Sequence, residues 1–422
     1  MKQSSYPAFH RFFESRSNKL LVVGILACAF GLPWQIVAEA QTSVTTYHGD
    51  SQRTGWNSSE GILKPSNVTA TTFGLIASVA LDDQVDAQSL VVANQVIEGQ
   101  GMHTVVYVAT ENNTVYAIDS STGSILKTAN LGAPVPRPLG CTLNGPNVGI
   151  TGTPTIDVEK QTIYVMAYTL VAGQPSYRLH ALNLQTLQDK AGSPINVMAS
   201  HRLTDGSKLS FNSKVERQRP ALLESNGNIY AGFSSFCDFS PSSSRGWLLG
   251  WNAGTLTALG ANELTDTLKT APANNGTNFF LSAIWMSGYG IADDGVGNVF
   301  FVTGNSDPNL NTYTGTTNIQ ESVVKMPEAL TSVLDLFTPS NVFSLDQGDE
   351  DFGAGGVLVL PDQPGPVPHL AVAAGKDGRL FIIDRDDMGR FHNPDIPAHV
   401  NIGGCWCGSS YYQGADGVGR VV

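Results

Sequence analysis

The chain has 422 residues, 41% of them hydrophobic and only 14% charged, with 44 glycines, 22 prolines and a formal net charge of -12. Soluble domains average about 25% charged residues, so helical bundles and coiled coils are excluded, and the apolar content is too high for a disordered chain. The acidic balance argues against a nucleic-acid footprint, which leaves an all-β chain of many short strands joined by turns.

Residues 1–40 read as an export signal. Lys2, Arg11, Arg16 and Lys19 precede an apolar run over residues 20–32, shorter than the ~20 residues a membrane span requires. Val37-Ala38-Glu39-Ala40 offers a small-residue cleavage site after Ala40, with an uncleaved anchor as the alternative. The expected mature chain, residues 41–422, is one domain with no membrane span, secreted or periplasmic. It carries 20 basic against 34 acidic residues, a balance of -14 that repels nucleic acid. Cys141, Cys237, Cys405 and Cys407 allow three pairings in an oxidising space, or all four remain free.

An internal repeat follows. Thr104-Val-Val-Tyr-Val-Ala-Thr-Glu-Asn-Asn-Thr-Val-Tyr-Ala-Ile-Asp119 is an alternating strand, a polar turn and a second strand. Comparable openings start at Gly152, Arg219, Ser287 and Gly355, in steps of 67, 68 and 68 residues. Each is followed by a second strand: Thr162-Ile-Tyr-Val, Asn228-Ile-Tyr-Ala, Asn298-Val-Phe-Phe and His369-Leu-Ala-Val-Ala. One such unit cannot bury both of its faces, and radial stacking solves this. The expected fold is a β-propeller of four-stranded blades, about six visible with the last incomplete; a two-sheet sandwich or a β-solenoid is the alternative. The sixth unit opens near Gly403 and the sequence reaches Val422 before its hairpin completes. Either the chain is a C-terminal fragment of a ring of seven or eight blades, or residues 43–47 supply a missing strand.

Val106-Tyr-Val-Ala-Thr-Glu-Asn-Asn-Thr-Val-Tyr-Ala-Ile-Asp-Ser-Ser-Thr-Gly123 resembles the repeat of the quinoprotein-like propellers, whose best-known members bind pyrroloquinoline quinone (PQQ). Ala117, Asp119, Thr122 and Gly123 match that repeat, while Lys127 stands where its docking tryptophan is expected. A second stretch, from Trp285 to Asn305, is similar to the segment of PQQ alcohol dehydrogenases that runs from a stacking tryptophan to a calcium-binding asparagine. Gly375-Lys-Asp-Gly-Arg-Leu-Phe-Ile-Ile-Asp-Arg385 resembles a segment whose lysine contacts the quinone oxygens. Ser234-Ser-Phe-Cys-Asp238 lies near the family's serine and calcium-binding glutamate, and Asp346, Asp349 and Asp351 near its catalytic aspartate.

The resemblance implies Trp285, Lys376 and Ser235 as cofactor-binding residues, Asp238 and Asn305 as Ca²⁺ ligands, and Asp349 as the base that takes the alcohol proton. Each has a plainer reading: Trp285 as a core aromatic, Asn305 as a turn cap, Asp238 and the acidic run as solvated loops, Lys376 as an exposed turn lysine. The family's disulfide between adjacent cysteines and its haem-attachment sequence are both missing here. Fold does not decide function, and two readings follow. The first is an exported binding or assembly module, for a small molecule or an envelope protein, as in the envelope-assembly propellers of the same repeat class. The alternative is a periplasmic dehydrogenase that uses PQQ and Ca²⁺ to oxidise an alcohol or sugar. Convergence of Trp285, Asn305, Asp238, Asp349 and Lys376 at one end of the channel separates them.

Overall fold

A computed structural model describes residues 43–141, 145–271, 276–307, 313–404, 406 and 408–422. The expected leader, Cys405 and Cys407 lie outside the described residues.

The repeat emerges as a series of antiparallel sheets. The first joins Leu90–Ile97, Gly101–Ala109, Thr114–Asp119 and Ile125–Asn130 in that order. Its central turn falls on the predicted polar residues, with Asn113 at φ 58°, a left-handed geometry that asparagine tolerates. The later openings become the first strands Thr155–Asp157, Leu223–Ser225, Ala292–Asp293 and Val357–Val359. Their partners are Thr162–Val171, Asn228–Ser235, Asn298–Val302 and Leu370–Ala374. Among the described residues, five sheets of four or five strands follow one another, and a sixth module is a two-stranded hairpin, Tyr411–Gln413 with Gly419–Val421. That hairpin is complete, where the sequence suggested a lone strand.

Period-2 alternation lets each blade face two neighbours. In the third blade Ile229, Ala231 and Leu249 share a core with Tyr164 and Met166 of the second, while Tyr230 and Leu248 belong to a core shared with the fourth. Val105 and Ala117 of the first blade meet Ile163 and Val165 of the second. Leu358 and Val372 of the fifth meet Tyr411 of the sixth. These blade-on-blade contacts are what an isolated four-stranded sheet lacks. The protein is an all-β propeller.

Residues 43–56 form the hub. Val44 pairs with Val91 of the first blade, and the Thr45 carbonyl accepts from Ile156 of the second at 2.8 Å. The Ser51 carbonyl accepts from Asp293 of the fourth blade, Gln52 from Val359 of the fifth and Thr54 from Tyr411 of the sixth. The fully buried Arg53 guanidinium donates to Ile291 O at 2.8 Å, Leu222 O at 3.0 Å, Tyr47 O at 2.9 Å and Thr46 Oγ1 at 2.6 Å. Gly55 N–H returns to His48 O at 2.8 Å, so the segment is a tight reversal rather than an extended strand. One compact turn touching all six sheets requires them to surround a common axis, which rules out the solenoid and the sandwich. Gly290 makes the approach feasible: a Cβ there would lie 2.4 Å from Arg53 Nε. Residues 43–47 therefore join the first blade and the hub, and do not complete the sixth module.

Candidate functional site

Loops at one end of the blades enclose a cavity of about 310 Å3 whose lining includes Asp238, Trp285, Asp349, Lys376 and Arg219. That size is at the lower end of small-molecule pockets, roughly 300–1,000 Å3.

Each side chain is placed by a break in a strand. Asn228–Ser235 ends in Cys237 and Asp238, both left-handed at φ 50° and 51°. Ser235 is fully buried and its hydroxyl donates to the Asp238 carboxylate, which puts Ser235 behind Asp238 rather than on the cavity wall. Trp285 precedes the short turn Met286–Gly288 that enters the fourth blade, and it is only half-buried. Gly304 lies beside it, where a Cβ would sit 3.4 Å from Trp285 Cδ1 and 2.8 Å from Asp351 Oδ1. Asn305 follows directly and is buried; its amide N–H donates to Asp351 Oδ1 at 3.0 Å and its side-chain Nδ2 to Asp349 Oδ1 at 3.2 Å. The Asn305 Oδ1 has no hydrogen-bond partner. Asp349 caps the helix Val342–Gly348 at φ 53° and has 72% of its side chain exposed. Lys376, in the turn after Leu370–Ala374, donates to Asp351 Oδ2 at 2.5 Å and to the Asp349 carbonyl at 2.8 Å.

Trp285, Asp238, Asp349 and Lys376 are thus brought together, with Asn305 just behind Asp349. The acidic run is not a solvated loop throughout, since Asp346 and Asp351 are buried. Lys376 is an ion-paired wall residue with 17% of its side chain exposed, not a free surface lysine.

The sequence did not single out Arg219, whose guanidinium lies 5.2 Å from the Trp285 ring centroid. Nor did it select a cysteine pairing. Cys141 is bonded to Cys237, which lines the cavity next to Asp238. A disulfide therefore stands at the site even though no adjacent cysteine pair exists.

Burial raises the Asp238 carboxyl above its ordinary pKa, and the Asp351 and Asp349 charges add to this against the pull of Ser235 and Lys376. Asp349 is likewise raised by burial and by Asp351, with Lys376 opposing. Burial pulls the Lys376 ammonium down, but the Asp351 hydrogen bond and charge more than restore it, so it is raised overall. Several carboxylates thus share one ammonium, an arrangement that favours a further cation. Asp238 and the unpartnered Asn305 Oδ1 supply hard oxygen atoms such an ion prefers. Among the described residues no group of three His, Cys, Asp or Glu is already close enough to hold a metal, so ligand oxygens must complete any shell.

Beneath the cavity, burial pushes Asp346 up to about 7 and Glu321 well above its ordinary value, with Asp351 contributing to both. Elsewhere burial pushes Glu111, Glu263 and Asp266 to about 7. Folded-state values above the unfolded ones mean that the native chain holds protons the unfolded chain releases between about pH 4 and 7. Stability from these groups is therefore full below the unfolded values and lost as pH rises towards 7. The unfolding midpoint without added metal is expected to fall by at least about 5 °C from pH 5 to pH 8. A midpoint that rises over that interval would refute this account.

No family model matches the chain, and no curated protein matches it. Solved structures do. The chain is similar to a quinohemoprotein alcohol dehydrogenase from Pseudomonas putida HK5, with a TM-score of 0.57 at 16% identity over 86% of this chain and 48% of that one. It is also similar to a europium-containing methanol dehydrogenase, with a TM-score of 0.53 at 14% identity over 83% of this chain and 57% of that one. BamB from Moraxella catarrhalis aligns over 81% of this chain and 82% of its own, at 13% identity and a TM-score of 0.39. The chain spans about half the length of the dehydrogenases it matches. At these identities the likeness shows the fold alone, a β-propeller. Among the described residues no helix is long and apolar enough to cross a membrane.

Proposed function

We propose that the cavity binds a planar quinone cofactor of the PQQ type together with a hard cation, in an exported propeller that oxidises an alcohol or a sugar. One observation carries this reading: Asp238, Trp285, Asp349 and Lys376, from loops of three successive blades, line a single cavity. The module-only reading gave no reason for them to meet.

The half-buried Trp285 offers a flat face for a planar ring. Asp238 and Asn305 would hold the cation through oxygen. When bound, the quinone supplies the acceptor for the substrate's hydride. Asp349 is the exposed carboxylate at the cavity wall, placed to take a hydroxyl proton from a ligand there. Lys376 locks Asp351 and the Asp349 carbonyl in place and brings a positive charge to the cavity.

The test is titration of the folded protein with PQQ in Ca²⁺ or in Eu³⁺, read by tryptophan fluorescence and by dye reduction with a panel of alcohols. Saturable, cation-dependent quenching is expected. Trp285→Ala should weaken binding about tenfold. Asp349→Asn should keep quenching while turnover falls about 10²- to 10⁴-fold. A folded protein that binds no PQQ with either cation ends the dehydrogenase reading.

A separate observation favours the binding-module reading. Residues 57–76 are almost wholly exposed and include Phe73 at 59%, Leu75 at 85% and Ile76 at 75%. An apolar stretch of that kind marks a protein contact. Capture of an envelope protein by the wild type, abolished by Phe73→Ser/Leu75→Ser, is its expected result. Equal capture by both chains would dismiss it.

A further inference from the structure

Arg219 lines the cavity and Arg217 stands two residues before it, and among the described residues neither is held by an ion pair. Arg217 lies in the strand Glu216–Gln218, which pairs with Asn228–Ser235, and Arg219 follows one residue beyond its end. Strand alternation turns residues two apart to the same side, and each side chain lies near an aromatic ring: Arg217 is 5.9 Å from the Phe236 centroid and Arg219 is 5.2 Å from that of Trp285. Both are half-buried. Among the described residues neither guanidinium forms an ion pair or donates a hydrogen bond, and Arg217 Nε is buried without a partner.

By contrast, Arg53 and Arg245 are held by backbone carbonyls. The carboxylates that act on the pair, Asp86 and Glu111, do so only through space. Asp86 is exposed, and Glu111 accepts from Gly149 N–H at 2.6 Å and from the Thr151 hydroxyl at 2.8 Å. Burial pulls the Arg219 pKa down to about 10, and the neighbouring Arg217 charge adds to the drop. Two neighbouring, half-buried cations without an ion pair repel one another and are relieved when an anion arrives from outside. Guanidinium groups suit carboxylates through paired hydrogen bonds.

We infer that Arg217 and Arg219 form an anion-recognition wall, which takes the carboxylate of an aromatic ligand lying at Trp285. The cavity is then bipolar. The ligand's carboxylate end faces the two arginines, and its opposite edge faces Asp238, Asn305 and Asp349. The inference rests on the cavity being the ligand site, and it adds which end of the ligand points where. The carboxylate belongs either to the cofactor or to an acidic substrate.

The test compares wild type, Arg217→Met/Arg219→Met and Arg219→Lys. The probes are pyridine-2,4-dicarboxylate, its dimethyl ester, PQQ and PQQ trimethyl ester, with tryptophan fluorescence as the readout. The wild type is expected to prefer each acid over its ester by at least about 30-fold, the double variant to bind acid and ester alike, and Arg219→Lys to lie between. Without ligand, the double variant should unfold at the same or a higher temperature, because a repulsion has been removed; a purely structural pair would give a lower midpoint and overturn the inference. If saturating PQQ displaces the dicarboxylate, the recognised group is the cofactor's; if both bind together, it is the substrate's.

Failure is separable from that of the dehydrogenase reading. PQQ bound equally well by wild type and double variant overturns the inference and leaves the dehydrogenase reading standing. Arginine-dependent dicarboxylate binding with no PQQ binding does the reverse. A wild type that binds neither acid overturns both.

Discussion

Arg53→Met is expected to lower the unfolding midpoint by roughly 5–10 °C, the larger of two stability losses anticipated for single sites in this chain. The guanidinium reaches carbonyls of the third and fourth blades and of its own turn, together with the Thr46 hydroxyl. Methionine fills a similar volume but leaves those acceptors buried and unpaired, at about 1–3 kcal/mol each. Loss of the buried cation offsets part of this, since burial already pulls the Arg53 pKa down to about 10. A net loss of about 4 kcal/mol remains. Arg53→Lys should recover little, because an ammonium cannot reach acceptors spread across both edges of a guanidinium plane. Thermal unfolding followed by circular dichroism checks this. A midpoint within about 1 °C of wild type would show that the hub does not hold the ring. If Arg53→Met does not fold at all, Thr46→Val removes a single partner and should give a small, measurable loss of the same sign.

Breaking the Cys141–Cys237 bridge is expected to cost nearly as much and to weaken ligand binding as well. The bond closes a sequence separation of 96 residues, for which the chain-entropy model gives about 4.7 kcal/mol and observed losses are commonly about 2–5 kcal/mol. Cys141 is buried in the core shared by the second and third blades. Cys237 lines the cavity immediately before Asp238, where both residues hold left-handed backbone. Release of that anchor frees the loop that presents Asp238. The variant Cys141→Ser/Cys237→Ser should therefore unfold about 5 °C lower and bind a cation-dependent ligand less tightly. Wild type treated with a reductant should behave the same way. Thiol labelling of denatured, unreduced protein that finds both cysteines free would refute this.

Much of the architecture was legible because its cause is local. The 67- and 68-residue steps locate strands to within a few residues, since alternating apolar side chains and Asn/Gly turns act over neighbours in the chain. The hub was not legible. Residues 43–56 carry no repeat, and their partners include Asp293, 242 positions from Ser51. The two-stranded sixth module was underestimated because Tyr411–Gln413 and Gly419–Val421 are short and flank an ordinary polar turn.

At the site, the resemblance to PQQ alcohol dehydrogenases nominated Trp285, Asn305, Asp238, Asp349 and Lys376; four of them line one cavity, and Asn305 stands behind Asp349. Ser235 was assigned contact with the ligand and instead supports Asp238 from behind. Arg219 escaped notice, because an arginine before a proline at a strand end looks like surface until Trp285 is folded against it.

What the sequence determined by itself was the blade: its strands, its turns and its two apolar faces, all set by interactions between residues close along the chain. Tertiary structure alone decided which loops meet, which cysteines join, and which arginines are left without a carboxylate. Those outcomes depend on the blades' arrangement around the hub, where residues more than 90 positions apart become neighbours and no local pattern records the encounter.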